Sequence, residues 1–253
     1  MASPASPLRQ PARLRERGVP STFRIGGAET VLARAVLAYL RLVARSVSWS
    51  WVDRGGRPLD GGDVDPRLAA MRRRETPALL SYYIADALGV ATLALVHDGF
   101  LRWMRELRCI VDDTLAGRAS AAIIGSLGGR FTVLPPSGAP ERMHGVYEVI
   151  RAGDGCAFPV DGGGPYREVG TGVVALAASL GATIVPMAAA LSPALSFAPQ
   201  SRVRVPVPKG RLVVAMGDEL RIGRAADRRA VAAELKGTID ALSAVARAAA
   251  RSG

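Results

Sequence analysis

Between Val169 and Ser201 the chain carries no charged side chain. A run of that length must hide from water, in a bilayer or in a protein core, since about 20 apolar residues suffice to span a membrane. Gly181, Pro186, Pro193 and Pro199 interrupt it, and much of it is Ala, Ser and Gly. A continuous transmembrane helix is therefore the poorer reading. The pattern predicts a helix over about 172–180, a turn at Leu180-Gly181, and a buried strand over about 183–190. A buried strand beside a buried helix calls for a layered α/β core.

The rest of the chain supplies that core. Of 253 residues, 49% are hydrophobic and 5% aromatic, so small aliphatic residues must fill the interior. The length suits one large domain or two small ones. Cys109 and Cys156 are the only cysteines, and His97 and His144 the only histidines. Neither a disulfide framework nor a zinc cluster fits that inventory, and a reducing compartment does. No secretory leader is read in residues 1–24, which are rich in Pro and Arg.

The net charge of +11 is carried almost entirely by arginine, Lys209 and Lys236 being the two lysines. Residues 1–74 hold 14 Arg against 6 acids, so the excess lies in the first third. Aromatics there are limited to Phe23, Tyr39, Trp49 and Trp51, and no nucleic-acid reading motif is present. No nucleic-acid partner is expected.

Residues 1–24 read as a disordered basic tail, and 25–253 as one domain. Glu29–Val47 has helical character, with Arg34, Arg41 and Arg45 on one narrow stripe and Val and Leu around the rest. Such a helix can lie in a membrane interface with its arginines on anionic headgroups, or pack on its own domain with those arginines solvated. Periodicity alone leaves both open. Further strands are expected at 48–53, 78–83, 109–111, 131–134, 156–160 and 211–216. Helices are expected at 66–75, 100–107, 119–127, 141–151 and 225–250. The apolar run 90–96 is read as a strand that delivers His97 to a helix. Strands alternating with helices predict an α/β fold, a single mixed sheet flanked by helices with an N-terminal amphipathic helix.

The chemistry concentrates in Phe158–Pro186 (FPVDGGGPYREVGTGVVALAASLGATIVP). A strand delivers Asp161 into Gly162-Gly163-Gly164, where the backbone can approach a ligand and present N–H groups. Arg167 follows, and a guanidinium suits phosphate. A helix then begins near Gly172. A tight turn that simply needs glycines would look the same.

This block resembles the bacterial lysophospholipid acyltransferase-like family, within the glycerolipid and lipid A acyltransferase superfamily. Relatives read T-P-D-G-P-R-G-P, or F-P-E-G-T-R-S, at the strand and loop. The resemblance extends over roughly residues 28–222, with Pro135–Gly155 and Arg211–Arg221 in supporting positions. It implies a glycerol-3-phosphate acyltransferase-like fold on the inner face of the cytoplasmic membrane. It implies transfer of an acyl chain from acyl-CoA or acyl carrier protein to a lysophospholipid hydroxyl. No bound cofactor or metal is implied. The superfamily uses H-x-x-x-x-(D/E), the histidine taking the acceptor's proton and the acid orienting the ring. His97 (LALVHDGFL) is the matching candidate, with Asp98 and Asp113 as possible carboxylates. Asp161, Gly162, Gly163, Gly164 and Arg167 would bind the substrate.

Two departures stand out. Five residues after His97 comes Arg102, not an acid, and the arginine following Asp-Gly-Pro in relatives is replaced by glycine. A second register places Tyr82-Tyr83 (PALLSYY) where relatives read Trp-His. The length to the Asp-Gly loop favours His97. The Tyr83 register would instead make the chain a lipid- or phosphate-binding relative without turnover.

Overall fold

The computed structural model describes residues 24–59, 77–134, 144–152, 154–161, 167–196 and 203–252. The expected tail, the basic helix at 66–75, the loop at 135–140 and Gly162, Gly163 and Gly164 lie outside those residues. Seven helices are seen among the described residues: α1 (Gly27–Ala44), α2 (Ala87–Val96), α3 (Asp98–Glu106), α4 (Leu115–Ser126), α5 (His144–Arg151), α6 (Thr171–Leu180) and α7 (Arg228–Arg251). Nine strands accompany them: β1 (Ser48–Val52), β2 (Pro58–Leu59), β3 (Ala78–Tyr82), β4 (Arg108–Asp112), β5 (Arg130–Leu134), β6 (Cys156–Pro159), β7 (Thr183–Ser196), β8 (Arg204–Met216) and β9 (Leu220–Arg221).

The strands form one mixed sheet in the order β2-β1-β8-β7-β3-β6-β4-β5, with β9 paired to β7. From β7 through β3, β6 and β4 to β5 the pairing is parallel. The long β7 and β8 pair antiparallel, and β8 carries β1 parallel. The single mixed sheet flanked by helices is the architecture the chain adopts.

Strand alternation sends side chains to two faces. One face gathers Trp51, Leu80, Tyr82, Met187, Ala189 and Val214 under Val43 of α1, Leu93 of α2 and Phe100 of α3. The other gathers Leu79, Tyr83, Phe158 and Ile184 under α5, α6 and the first half of α7. Val52, Ala188 and Ala215 continue that second face under Leu242 and Ala246 of α7. Consecutive residues Tyr82 and Tyr83 thus enter opposite layers, a fact that decides the site below.

The uncharged run resolves as α6 and β7, joined at Gly181, whose φ of 66° is the left-handed conformation that glycine adopts without a Cβ clash. Among the described residues no single helix is long and apolar enough to cross a membrane. α1 starts at Gly27, close to the expected Glu29, and buries Ala33, Leu37, Leu40 and Val43, one stripe of a 3.6-residue repeat.

One expectation is corrected. The run read as a strand before His97 is helix α2, and His97 stands at the break between α2 and α3, which turn by 116°. The run is apolar all round, so it carries no period to distinguish helix from strand. Extended back to Ala87, its composition favours helix, with six Ala and Leu against three Val and Thr. It can be apolar all round because it is sandwiched: Gly89 faces Ala189, Leu191 and Leu212 of the sheet, and α1 covers it from outside.

Candidate functional site

β3 and β6 are parallel neighbours, with Tyr82 opposite Pro159. Their carboxyl ends therefore open at one place, where parallel sheets commonly bind ligands. The chain leaving β6 brings in Asp161, which is buried at 4% exposure. Its Oδ1 accepts the Ile84 N–H at 2.7 Å, just past β3. Its Oδ2 accepts the Arg167 N–H at 3.1 Å. The carboxylate thus ties the end of β3 to the far side of the Asp-Gly loop. Its two oxygens serve the backbone, and its part in the site is to position Arg167.

Arg167 is held at φ 60°, a left-handed value uncommon for a side chain with a Cβ. Such a conformation costs of order 1–3 kcal/mol and persists where the surroundings over-determine it. The surroundings here are specific. The guanidinium lies 4.7 Å over the Tyr83 ring. Its Nε and Nη2 donate to Asp240 Oδ1 at 3.2 and 2.7 Å. The Tyr83 hydroxyl donates to the same oxygen at 2.9 Å. Lys236 Nζ donates to Asp240 Oδ2 at 2.9 Å, one helical turn away. Three donors from three parts of the chain converge on one carboxylate of α7.

The electrostatics follow from that convergence. Burial acts to raise the Asp240 carboxyl, and the hydrogen bonds from Lys236, Arg167 and Tyr83 outweigh it, holding the group below its ordinary range. Tyr83 is pushed up, by burial first and then by Asp240, against Arg167. It remains a phenol, a donor and not a base. Lys236 is raised by its bond to Asp240 and remains a cation. Nearby, Asp86 is buried at 5% exposure, and its Oδ2 accepts the Ala189 N–H at 3.2 Å. Burial pushes it up to about 6, opposed by that hydrogen bond and by Arg204, Arg167 and Arg247.

His97 lies elsewhere. It caps α3, its Nδ1 accepting the Phe100 N–H at 3.0 Å. The ring meets Trp49 and Trp51 edge-on, at 4.9 and 5.8 Å between centroids. Trp51 belongs to the face opposite Tyr83. β1, which carries it, is three strand steps from β3, about 14 Å across the sheet. The tautomer compounds the separation. With Nδ1 accepting, neutral imidazole carries its proton on Nε2 and has no lone pair there for a substrate proton. A histidine base needs the reverse, Nδ1–H given to an acid and Nε2 open.

Asp98 is exposed in the first turn of α3. Asp113 accepts from Arg118 Nε at 2.7 Å, and Arg118 also pairs with Glu29 at 3.6 Å, so this group fastens α4 to α1. His144 is exposed at the start of α5.

The structure therefore brings Asp161 and Arg167 together, as expected, and leaves His97, Asp98 and Asp113 outside their site. It brings in Tyr83, the residue of the second register, and adds Lys236 and Asp240. The Lys236–Asp240 spacing on α7 looks in sequence like a solvated i,i+4 ion pair, and nothing in it points to residues some 70 and 150 positions earlier.

Fold and site together define a class: a mixed α/β protein with a cluster of paired charges at the carboxyl ends of two adjacent parallel strands. No protein-family model and no curated protein matches the chain. Among solved structures, the chain is similar to the crystal structure of the 1-acyl-sn-glycerophosphate (LPA) acyltransferase PlsC from Thermotoga maritima. The TM-score is 0.44 at 11% identity, over 84% of this chain and 80% of that one. That likeness is one of outline, and nothing about function is taken from it.

Proposed function

We propose that the chain binds a phosphate-bearing, lysophospholipid-like lipid at the carboxyl ends of β3 and β6, without histidine-based turnover. The carrying observation is that Tyr83, not a histidine, closes β3 and meets Arg167. Arg167 and Lys236 supply positive charge, Tyr83 a neutral donor, and Asp161 fixes the loop. Tyr83 is raised and stays protonated at neutral pH, so it serves as a donor and not as the base a histidine would supply.

The lipid reaches the site from a membrane surface on which the protein sits peripherally, on the cytoplasmic side. α1 supports this reading. Its inward stripe is buried, while Val31 and Leu42 stand 65% and 54% exposed beside exposed Arg34, Arg41 and Arg45. Apolar side chains flanked by arginines fit an anionic bilayer interface.

A second reading, acyl transfer from acyl-CoA or acyl carrier protein to the lysolipid hydroxyl, is favoured by the strand, Asp-Gly loop and helix of residues 158–186. It requires a base at the loop, and His97 stands on the other face of the sheet. Co-sedimentation with vesicles carrying lysophosphatidic acid tests the binding reading. Wild-type protein should bind, and Arg167→Ala should bind several-fold more weakly. Equal binding by both would refute the site.

A further inference from the structure

The Asp240 carboxylate receives what a phosphate would receive. Arg167 gives it two N–H groups, Tyr83 a hydroxyl and Lys236 an ammonium, all between 2.7 and 3.2 Å. It is a side chain of the protein itself, on a helix distant in sequence from the loop, and about a third exposed. With Asp240 in place the charges at this end of the sheet balance, four cations against four carboxylates, and its departure leaves the site positive. Arg204 and Arg247 act on Asp86 at the same end of the sheet, and Arg247 continues the α7 stripe of Lys236 and Asp240. Against them stand Asp86, Asp240 and Glu168, with Asp161 committed to backbone N–H groups.

We propose that Asp240 is an internal stand-in for the ligand. A phosphomonoester takes its place on Arg167, Lys236 and Tyr83, and Asp240 swings toward solvent. The proposal rests on the phosphate-binding reading above and adds to it a built-in competitor, and with it a preference for the monoester. The competitor has a consequence for selectivity. A singly charged or zwitterionic headgroup exchanges one weak partner for another. A dianionic monoester offers more charge and more acceptor oxygens than the carboxylate it displaces. Asp161 and the left-handed backbone fix the Arg167 main chain, and the Tyr83 ring still lies under its guanidinium when Asp240 leaves.

The test uses the full chain and inorganic phosphate, then vesicles of phosphatidylcholine with or without lysophosphatidic acid. Lys236 is one of two lysines, so 15N-lysine labelling gives two side-chain signals, with exposed Lys209 as the internal reference. Phosphate should shift the Lys236 ammonium resonance and leave that of Lys209. Asp240→Asn, which removes the competing charge, should tighten phosphate binding about three- to tenfold. Tighter binding of inorganic phosphate and of lysophosphatidic acid vesicles alike assigns the site to the monoester itself. A gain confined to vesicles assigns it to the lipid. If wild type binds phosphate and Asp240→Asn binds it no better, Asp240 is a structural anchor, and the stand-in idea fails while the binding reading survives. If the Lys236 signal does not move in wild type and neither protein binds, both fail. Should Asp240→Asn not fold, the wild-type Lys236 signal decides: a shift that saturates with phosphate supports the exchange, and a fixed signal overturns it.

Discussion

Asp161 and Asp86 are two buried carboxylates a few residues past the ends of the neighbouring strands β6 and β3, and they do opposite things to stability. Asp161 has both oxygens on N–H groups. Asp161→Ala leaves the Ile84 and Arg167 amides without that acceptor, at about 1–3 kcal/mol for each one that stays dry. Urea unfolding should show the loss, and phosphate binding should fall with it because Arg167 is no longer placed. Asp86 is the reverse case. An acid whose folded pKa of about 6 exceeds its ordinary value of 3.8 takes up a proton on folding between those values. Stability contributed by this group therefore falls as pH rises from about 4 to about 6, and levels off above. Asp86→Asn should flatten that slope and gain at most about 3 kcal/mol at pH 8 relative to its effect at pH 4. Unfolding midpoints at both pH values measure it, and an unchanged slope would assign the effect elsewhere. His97 is a cap at this scale. His97→Ala should cost about 1 kcal/mol, as lost caps do, and His97→Asn should recover much of it.

Helix α1 is the element whose two sides make different promises. Leu37 and Leu40 are buried against the domain, whereas Val31 and Leu42 face outward beside the arginines. Leu40→Asp should unfold or strongly destabilise the protein. Leu42→Asp should leave the melting temperature nearly unchanged and weaken flotation with anionic vesicles. Replacing Arg34, Arg41 and Arg45 with Ala should do the same, and raised salt should mimic it. Vesicle binding that ignores both changes would remove α1 from the account. α1 was legible in sequence because its buried stripe and its arginines keep separate angular positions. α2 was not, since a segment apolar on all sides has no contrast to read. That one ambiguity carried His97 with it. A strand before the histidine would have delivered it to the sheet edge, and a helix leaves it in the layer under α1.

Across the whole molecule, the order of strand, Asp-Gly loop, helix and buried strand was visible because it is local, and so were Asp161 and Arg167. The completed site is not local. Tyr83 comes from one strand, Arg167 from the loop and Asp240 from the last helix, and only the parallel pairing of β3 with β6 makes them neighbours. Alternation along β3 settles the rest: Tyr83 faces α7, while His97 lies across the sheet. The central claim is that this edge binds a lipid phosphate and that His97 performs no chemistry there. Its most direct test is an acyl-transfer assay with labelled acyl-CoA and acyl carrier protein donors on lysophosphatidic acid vesicles, with wild type and His97→Ala side by side. The account predicts vesicle binding by both proteins and labelled diacyl product from neither. Product formed by wild type and lost in His97→Ala would contradict it.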